Sequence, residues 1–510
     1  MVIFARFVQI NYEDFSSVLG TQSTRTLVIG EKRGEIYDRN FQRLVNTQNQ
    51  LIAAVTPCTG AYVYLHNEIK NDILKEKIES AYPFLHKVKN EINNEIIKTF
   101  SVPVRYEDKG TACHIVGYLD SDGKNGITGI ERAYNEYLSK NGGKLSVTFD
   151  VDGLGKVLAG MSKKITDNNF TSKAGVVLTI DKKVQIIAEK ALSDSFIKSG
   201  CALVMHVDTG EIHALASIPT FNQNNVAASL NDENSPFINK ALQSYAAGSV
   251  FKPIVAAAAL ENGYDSERQY ECTGEIKVGD TVFGCYNHTA HGKVNMKTAL
   301  EESCNTYFIN LIMQTDTDLL LSLCKSIGFG KEDILASTIK SQSGKLPTNE
   351  EIAIKGNLAN LAFGQGSLLV TPIQILKAYH VLATGNYVPV SLVRGFANDM
   401  GLMTKEPSQD TVKLLSDDSV VTLRDMLKSV VYNGKAQNAK SDLVALAGKT
   451  GTAQSGIYKS GEEICRTWFA GFFPANNPHY IVVVMNEDGE GGNYDCAGVF
   501  KEICEKMVTS

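Results

Sequence analysis

The sequence predicts an α/β (α+β) fold: an antiparallel sheet flanked by helices and carrying a helical subdomain, preceded by a mixed α+β N-terminal segment. Three observations predict it. Short β-rich runs at 175–180, 202–208 and 212–217 are matched near the other end of the chain by runs at 468–473 and 480–485. Asp208-Thr-Gly-Glu211 is a turn that makes two of these runs an antiparallel hairpin. Helical patterning fills much of the stretch between, so strands from both sequence ends enclose a helical insert.

Taken in order, residues 1–10 contain apolar residues but also Arg6, and they fall far short of the roughly 20 residues of a spanning helix. They read as the last turns of an anchor or as a plain first strand. From Arg33 to about Asp150 short strands at 51–55 and 61–65 accompany an amphipathic, Lys/Glu-rich helical stretch over 68–99. Residues 151–174, polar, glycine-containing and without periodicity, read as a linker. A helix over 182–199 lies between the first two strands of the second half. Farther on, Gly248 permits a sharp turn, and Pro253 is tolerable only near a helix start, where its missing N–H has no partner to lose. An Ala-rich run from 254 to 260 follows, so Ser249 sits at the mouth of a buried helix.

That placement gives three short motifs a chemistry. Ser249 and Lys252, three residues apart, share one helix face, with the free N–H groups of the first turn directed at developing negative charge. Ser303-Cys304-Asn305 adds a hydroxyl and an amide that can relay protons, and Lys449-Thr450-Gly451-Thr452 adds a cationic strand able to hold a carboxylate. The same triplets recur at Ser121/Lys124, Ser195/Lys198, Ser322/Lys325 and Ser337/Lys340, none at a glycine-to-helix junction, so order and context decide.

In that order, 54 and 146 positions apart, the motifs resemble those of the penicillin-binding proteins, the serine acyltransferases that crosslink peptidoglycan. Phe363-Gly-Gln-Gly366, Thr371-Pro-Ile-Gln374, Trp468-Phe-Ala-Gly471 and Leu178-Thr-Ile-Asp181 extend the likeness. Arg33-Gly-Glu-Ile-Tyr-Asp-Arg39, with Gly129-Ile-Glu131 and Tyr134, is similar to the N-terminal module of the class B, monofunctional members. Ala247 and Gly498 replace usual prolines and Phe41 a usual glycine, without removing a reacting group.

The resemblance implies a penicillin-binding transpeptidase fold over 175–510, a linker at 151–174 and an elongated pedestal or dimerisation-like module over 1–150. It also implies a peptidoglycan D,D-transpeptidase working through a Ser249 acyl-enzyme. Lys252 would be the base, Ser303 and Asn305 the relay, and Lys449 would stay charged. Thr450, Gly451 and Thr452 would receive the D-alanyl-D-alanine end of a stem peptide, and β-lactams would acylate the same serine. Catalysis would need no cofactor. The enzyme would be membrane-anchored, face outward and meet other cell-wall synthesis proteins. A D,D-carboxypeptidase or serine β-lactamase, in which water resolves the acyl-enzyme, and a non-catalytic β-lactam-binding sensor or scaffold are the rival readings.

Cys272, Cys285, His288 and His291, spaced C-x12-C-x2-H-x2-H, form a tetrahedral set for a structural Zn2+, with Asp280 as a substitute ligand. A Cys272 to Cys285 disulfide, or unpaired thiols, are the alternatives. Ten cysteines in 510 residues are too sparse for a disulfide framework. A net charge of −6 without a dense Lys/Arg run excludes nucleic acid as the main partner.

Overall fold

A computed structural model describes residues 24–108, 110–158, 163–405, 411–459 and 461–510. The expectation for residues 1–10 lies outside the described residues. Among the described residues no helix is long and apolar enough to cross a membrane.

The second half is built on a five-stranded antiparallel sheet in the order Ile212–Ile218, Gly200–His206, Tyr480–Gly489, Glu462–Phe473, Ala447–Lys459. Its middle strands are near-continuous apolar runs, Cys201 to Met205 and Ile481 to Met485, all fully buried. Such runs need cover on both faces. Helices Lys182–Ser193 and Gly492–Thr509 pack against the sheet and each other, and helix Pro372–Thr384 packs against strands Gly200–His206, Glu462–Phe473 and Tyr480–Gly489. Helix Pro372–Thr384 is buried nearly all round and is capped by Thr371 and Gln374 in a reciprocal box. The sheet and its helical insert share one large core. As expected, strands from both sequence ends enclose the insert, and strand Ala447–Lys459 lies at the sheet edge.

The N-terminal part contains two three-stranded antiparallel sheets. In one, Gly143–Asp150 lies between Thr24–Lys32 and Lys164–Asn168; in the other, Gln48–Val55 lies between Phe84–Val88 and Ile97–Val104. The predicted strand at 51–55 is present. The predicted strand at 61–65 is instead part of helix Thr59–Leu65, whose buried residues Ala61 and Leu65 stand four apart. The helix expected over 68–99 is confined to Asn71–Ser80. It stops at Ala81, left-handed at φ 56° and two residues before Pro83, and the rest of the stretch is drawn into strands by long-range pairing such as Leu51 with Val88. The predicted linker contains strand Lys164–Asn168, mostly exposed at a sheet edge; a strand without a buried face leaves no alternation to read. The helix expected over 182–199 ends at Ser193.

A four-stranded sheet joins the two halves, in the order Met403–Lys405, Val393–Ala397, Gly175–Leu178, Glu35–Tyr37. Glu35–Tyr37 pairs in parallel with Gly175–Val177, so the expected boundary between module and catalytic half is crossed by a strand. Strand 175–178 thereby belongs to this sheet and not to the central one. Ion pairs add to the junction: Arg39 Nη2 and Arg394 Nε each lie 3.1 Å from a carboxylate oxygen of Glu211. Phe41, where the resemblance leads one to expect glycine, has φ 61° and packs its ring 5.7 Å from Tyr37.

Candidate active site

Ser249 is half-buried on a single 3-10 turn, Gly248–Phe251, that leads into helix Lys252–Glu261 with Pro253 in its first turn. Gly248 has φ 60°, and a Cβ there would lie 2.8 Å from Thr452 O, so glycine lets the edge strand press against the turn. A Cβ at Gly451 would likewise meet Val250 Cγ1 at 2.9 Å and Ala247 O at 3.2 Å. Backbone against backbone, the third motif is laid beside the first.

Lys252 and Lys449 are both fully buried and converge on one hydroxyl. Lys252 Nζ donates to Ser303 O at 2.6 Å, Ser303 Oγ at 3.1 Å and Asn305 Oδ1 at 2.7 Å. Lys449 Nζ donates to the same Ser303 Oγ at 3.1 Å and to Thr450 O at 3.2 Å. Among the described residues no carboxylate pairs with either amine. Burial pushes the Lys252 amine down to about 7, against the opposing pull of the Cys304 and Cys285 thiols and with a smaller push from the Lys435 charge in the same sense as burial. Burial, and then the charge of Lys252, also push Lys449 well below its ordinary value. In the free protein these shifts run against the expectation that Lys449 stays charged: two ammonium groups sharing one hydroxyl in a dry pocket would have no carboxylate beside them.

Ser303 adopts φ 54°, a left-handed conformation uncommon for a non-glycine residue, in the turn between helices Met296–Glu301 and Asn305–Ile312. Cys304 caps the second of these helices, its sulfur accepting from Tyr307 N. Asn305 bridges outward, with Nδ2 donating to Gly284 O at 2.9 Å. Four of the five expected reacting residues, Lys252, Ser303, Asn305 and Lys449, are thereby joined by hydrogen bonds, and Ser249 stands on the turn three residues before Lys252, with Thr450, Gly451 and Thr452 along the adjoining edge strand and Thr452 exposed. Gly492 N donates to Thr452 Oγ1 at 3.4 Å.

The cysteine set differs from its expected composition. Cys272, Cys285, His291 and Cys304 offer ligand atoms within 4.8 Å of one another. Cys272 Sγ and Cys285 Sγ are 3.8 Å apart, and Cys285 Sγ and Cys304 Sγ 3.7 Å. Those separations match the edges of a tetrahedron with metal–sulfur bonds of about 2.3 Å and are nearly twice a disulfide bond. His291 Nδ1 lies 3.3 Å from Cys272 Sγ, and its Nε2 is buried without a partner. Three thiols and an imidazole, largely buried, fit a structural Zn2+. His288 is outside the set: at φ 52° its ring turns out to solvent, 68% exposed, and pairs with Glu275 Oε1 at 2.7 Å. Asp280 is exposed between strands Glu275–Val278 and Thr281–Gly284. Cys304 takes the vacant place. The readable signal was a thiol between two polar motif residues, at a position whose side chain points away from theirs.

In comparisons with known proteins, residues 200–505 match the model of the penicillin binding protein transpeptidase domain. The chain is 25% identical to the peptidoglycan D,D-transpeptidase MrdA of Acinetobacter baumannii, across 96% of this chain and 83% of that protein. It is 27% identical to stage V sporulation protein D of Bacillus subtilis, across 94% and 78%. Among solved structures, the D,D-transpeptidase domain of a peptidoglycan glycosyltransferase from Eggerthella lenta superposes with a TM-score of 0.67 at 24% identity, covering 94% of this chain and 98% of that one. Penicillin binding protein 3 of Mycobacterium tuberculosis, complexed with aztreonam, gives 0.68 at 22% identity, covering 95% and 97%.

Proposed function

The chain belongs to the penicillin-binding protein transpeptidase family, and from that premise we propose that it is a peptidoglycan D,D-transpeptidase that crosslinks stem peptides through an acyl-enzyme on Ser249. The observation that carries the mechanism is the pair of buried amines that meet on the Ser303 hydroxyl with no carboxylate partner among the described residues, with Lys252 one helical turn from the nucleophile.

A serine hydroxyl needs a base that is unprotonated while it waits, and burial makes Lys252 such a base at neutral pH. As Ser249 Oγ attacks the carbonyl carbon between two D-alanines, its proton passes to Lys252 Nζ. The Ser249 and Thr452 N–H groups stabilise the oxyanion, one such donor being worth about 3 kcal/mol. The proton then travels through Ser303 Oγ to the nitrogen of the departing D-alanine, and the C–N bond breaks to leave an ester on Ser249. The incoming carboxylate, held by Thr450 and Thr452, supplies the counter-charge that lets Lys449 bind a proton in the complex. An extended peptide adds to the edge strand through main-chain hydrogen bonds. The amine of a second stem peptide then attacks the ester and gives up its proton, and Ser249 Oγ is released reprotonated. A β-lactam forms the same ester, but its opened ring stays attached.

In this reading the N-terminal module is a pedestal that meets other cell-wall synthesis proteins, and the enzyme is held at the outer face of the cytoplasmic membrane, where its substrate lies. A Zn2+ on Cys272, Cys285, His291 and Cys304 would be structural, since four protein ligands leave no open position. It would fix the loop carrying Gly284, on which Asn305 rests. Protein carrying no zinc after purification without chelator would remove this part of the reading.

Covalent labelling by a fluorescent penicillin tests the core claim. Ser249→Ala is expected to abolish labelling with the fold intact; undiminished labelling would take Ser249 out of the mechanism. Incubation with a stem peptide and an amine acceptor should yield crosslinked product, whereas release of D-alanine with hydrolysis alone would make the protein a carboxypeptidase.

A further inference from the structure

Two segments singled out in the sequence, Phe363-Gly-Gln-Gly366 and Thr371-Pro-Ile-Gln374, hold none of the reacting groups, yet the first touches the turn that carries the nucleophile and the second anchors the residues around it that do the same. Gly248 N donates to Gly364 O at 2.8 Å. Tyr245 and Val370 exchange backbone hydrogen bonds, each of 2.8 Å. The buried Tyr379 hydroxyl donates to Val250 O at 3.1 Å. The base of this limb is itself fixed: Gln374 accepts from Thr371 N and donates to the carbonyls of Gly328, Lys331 and Ser343.

One of these contacts bears on direction as well as position. Gly364 has φ 74°, and a Cβ there would lie 2.1 Å from Gly248 O but 2.9 Å from Gly248 C, so the Gly248 carbonyl oxygen is turned toward Gly364. In a planar trans peptide the C=O and the following N–H point in opposite directions. The Ser249 N–H therefore leaves the turn on the face away from Gly364. Strand Ala447–Lys459 meets the turn separately, a Cβ at Gly451 lying 3.2 Å from Val250 N. Trp468 Nε1 holds Ala246 O at 3.1 Å.

We propose that Gly364 and Tyr379 form a brace that aims the Ser249 N–H at the oxyanion, with Gly364 as the positioning residue and Tyr379 fixing the far end of the turn. This rests on the acyl-enzyme reading above. A side chain at Gly364 would push on the Gly248 oxygen, and the Gly248–Ser249 peptide could yield only by rotating the N–H away from its target.

The test separates aim from stability. In Gly364→Ala, the first-order rate of Ser249 acylation by a penicillin is expected to fall about 100-fold, the usual loss of one oxyanion donor, while the dissociation constant of the preceding non-covalent complex changes less than about threefold. The ester carbonyl stretch of the acyl-enzyme should rise as its hydrogen bond weakens. Gly366→Ala is the control, because Gly366 is also left-handed, at φ 77°, but a Cβ there would face Asn360 at 3.1 Å. It is expected to lower the melting temperature and leave the acylation rate within about threefold of the parent.

A folded Gly364→Ala that acylates at the parent rate would overturn the proposal, as would equal rate losses in both variants. If Gly364→Ala does not fold, Tyr379→Phe decides: a fall of about fivefold in rate at unchanged dissociation constant supports the brace, and an unchanged rate sinks it. A parent protein that fails to acylate would remove the acyl-enzyme reading and the brace together. Normal acylation by the parent with an indifferent Gly364→Ala removes only the brace.

Discussion

Two centres in this molecule bury a pair of cationic side chains, and they differ in whether an anion is buried with them. In the N-terminal module Arg33 Nε and Arg105 Nη2 lie 3.2 and 2.7 Å from the carboxylate of Glu131, itself fully buried, and Tyr106 donates to the same group at 3.0 Å. In the catalytic half Lys252 and Lys449 are buried more completely than the two arginines and meet over the hydroxyl of Ser303. Burial tends to lower Arg105 too, but Glu131 outweighs it and leaves the guanidinium above its ordinary value, a permanent cation. The same dryness pushes Lys252 down to about 7. One arrangement is a rivet and the other a base in waiting: the first pairs guanidinium groups, which stay charged, with a carboxylate, and the second leaves amines, which burial can neutralise, without one.

The comparison can be broken in several places. The largest effect is expected from Lys252→Met, which keeps the volume and removes the amine: acylation by a penicillin should drop a thousandfold or more, on the order of what a general base supplies, with the melting temperature maintained or raised. Near-normal acylation would mean that another base is at work. Next, Glu131→Gln should strand two guanidinium groups and cost about 3–5 kcal/mol in urea unfolding of the N-terminal module. The acylation rate of folded protein should not change, and a rate loss would show that the rivet reaches the site.

Ser303→Asp would make the second centre resemble the first. Asp tolerates the left-handed backbone there. Its charge should hold Lys252 protonated, cut acylation at neutral pH about 100-fold and move the ascending limb of the pH profile up by roughly one unit or more. An unmoved limb would break the comparison. The smallest effect is the profile of the parent itself, rising about tenfold per pH unit up to about 7 and flattening above, because only the unprotonated amine serves. Stability carries the same signature. Lys252 gives up its proton near 7 when folded and near 10.5 when unfolded, so the unfolded chain binds more protons between those values and stability rises with pH across that window.

The catalytic motifs were legible because their meaning is local: a three-residue offset at a helix mouth and an alternating edge strand follow from spacing alone. The fold of the second half was legible for a related reason, since runs such as Ile481 to Met485 are strands wherever they are covered. The N-terminal module was read less well. Its Lys/Glu-rich stretch carries a helical period only as far as Ser80, and the pairing that turns Phe84–Val88 and Ile97–Val104 into strands joins residues 29 to 56 positions apart, as in Val55 with Phe84 and Gln48 with Val104. The metal set failed by one residue. Counting spacings favoured His288, but a left-handed backbone at Asn287 and His288 turns that ring outward, while Cys304 reaches the cluster only because Ser303 bends the chain before it.

Strand Glu35–Tyr37 has a practical consequence for anyone who trims this protein. Its three residues, all buried, close one side of the sheet that contains Gly175–Leu178, four more buried residues. A fragment begun at residue 175 would carry an unprotected, wholly apolar ribbon, ready to recruit the same ribbon from another molecule. The catalytic half should therefore be expressed with the N-terminal module still attached, or with that short piece grafted back through a flexible tether, if it is to stay in solution long enough to meet an antibiotic.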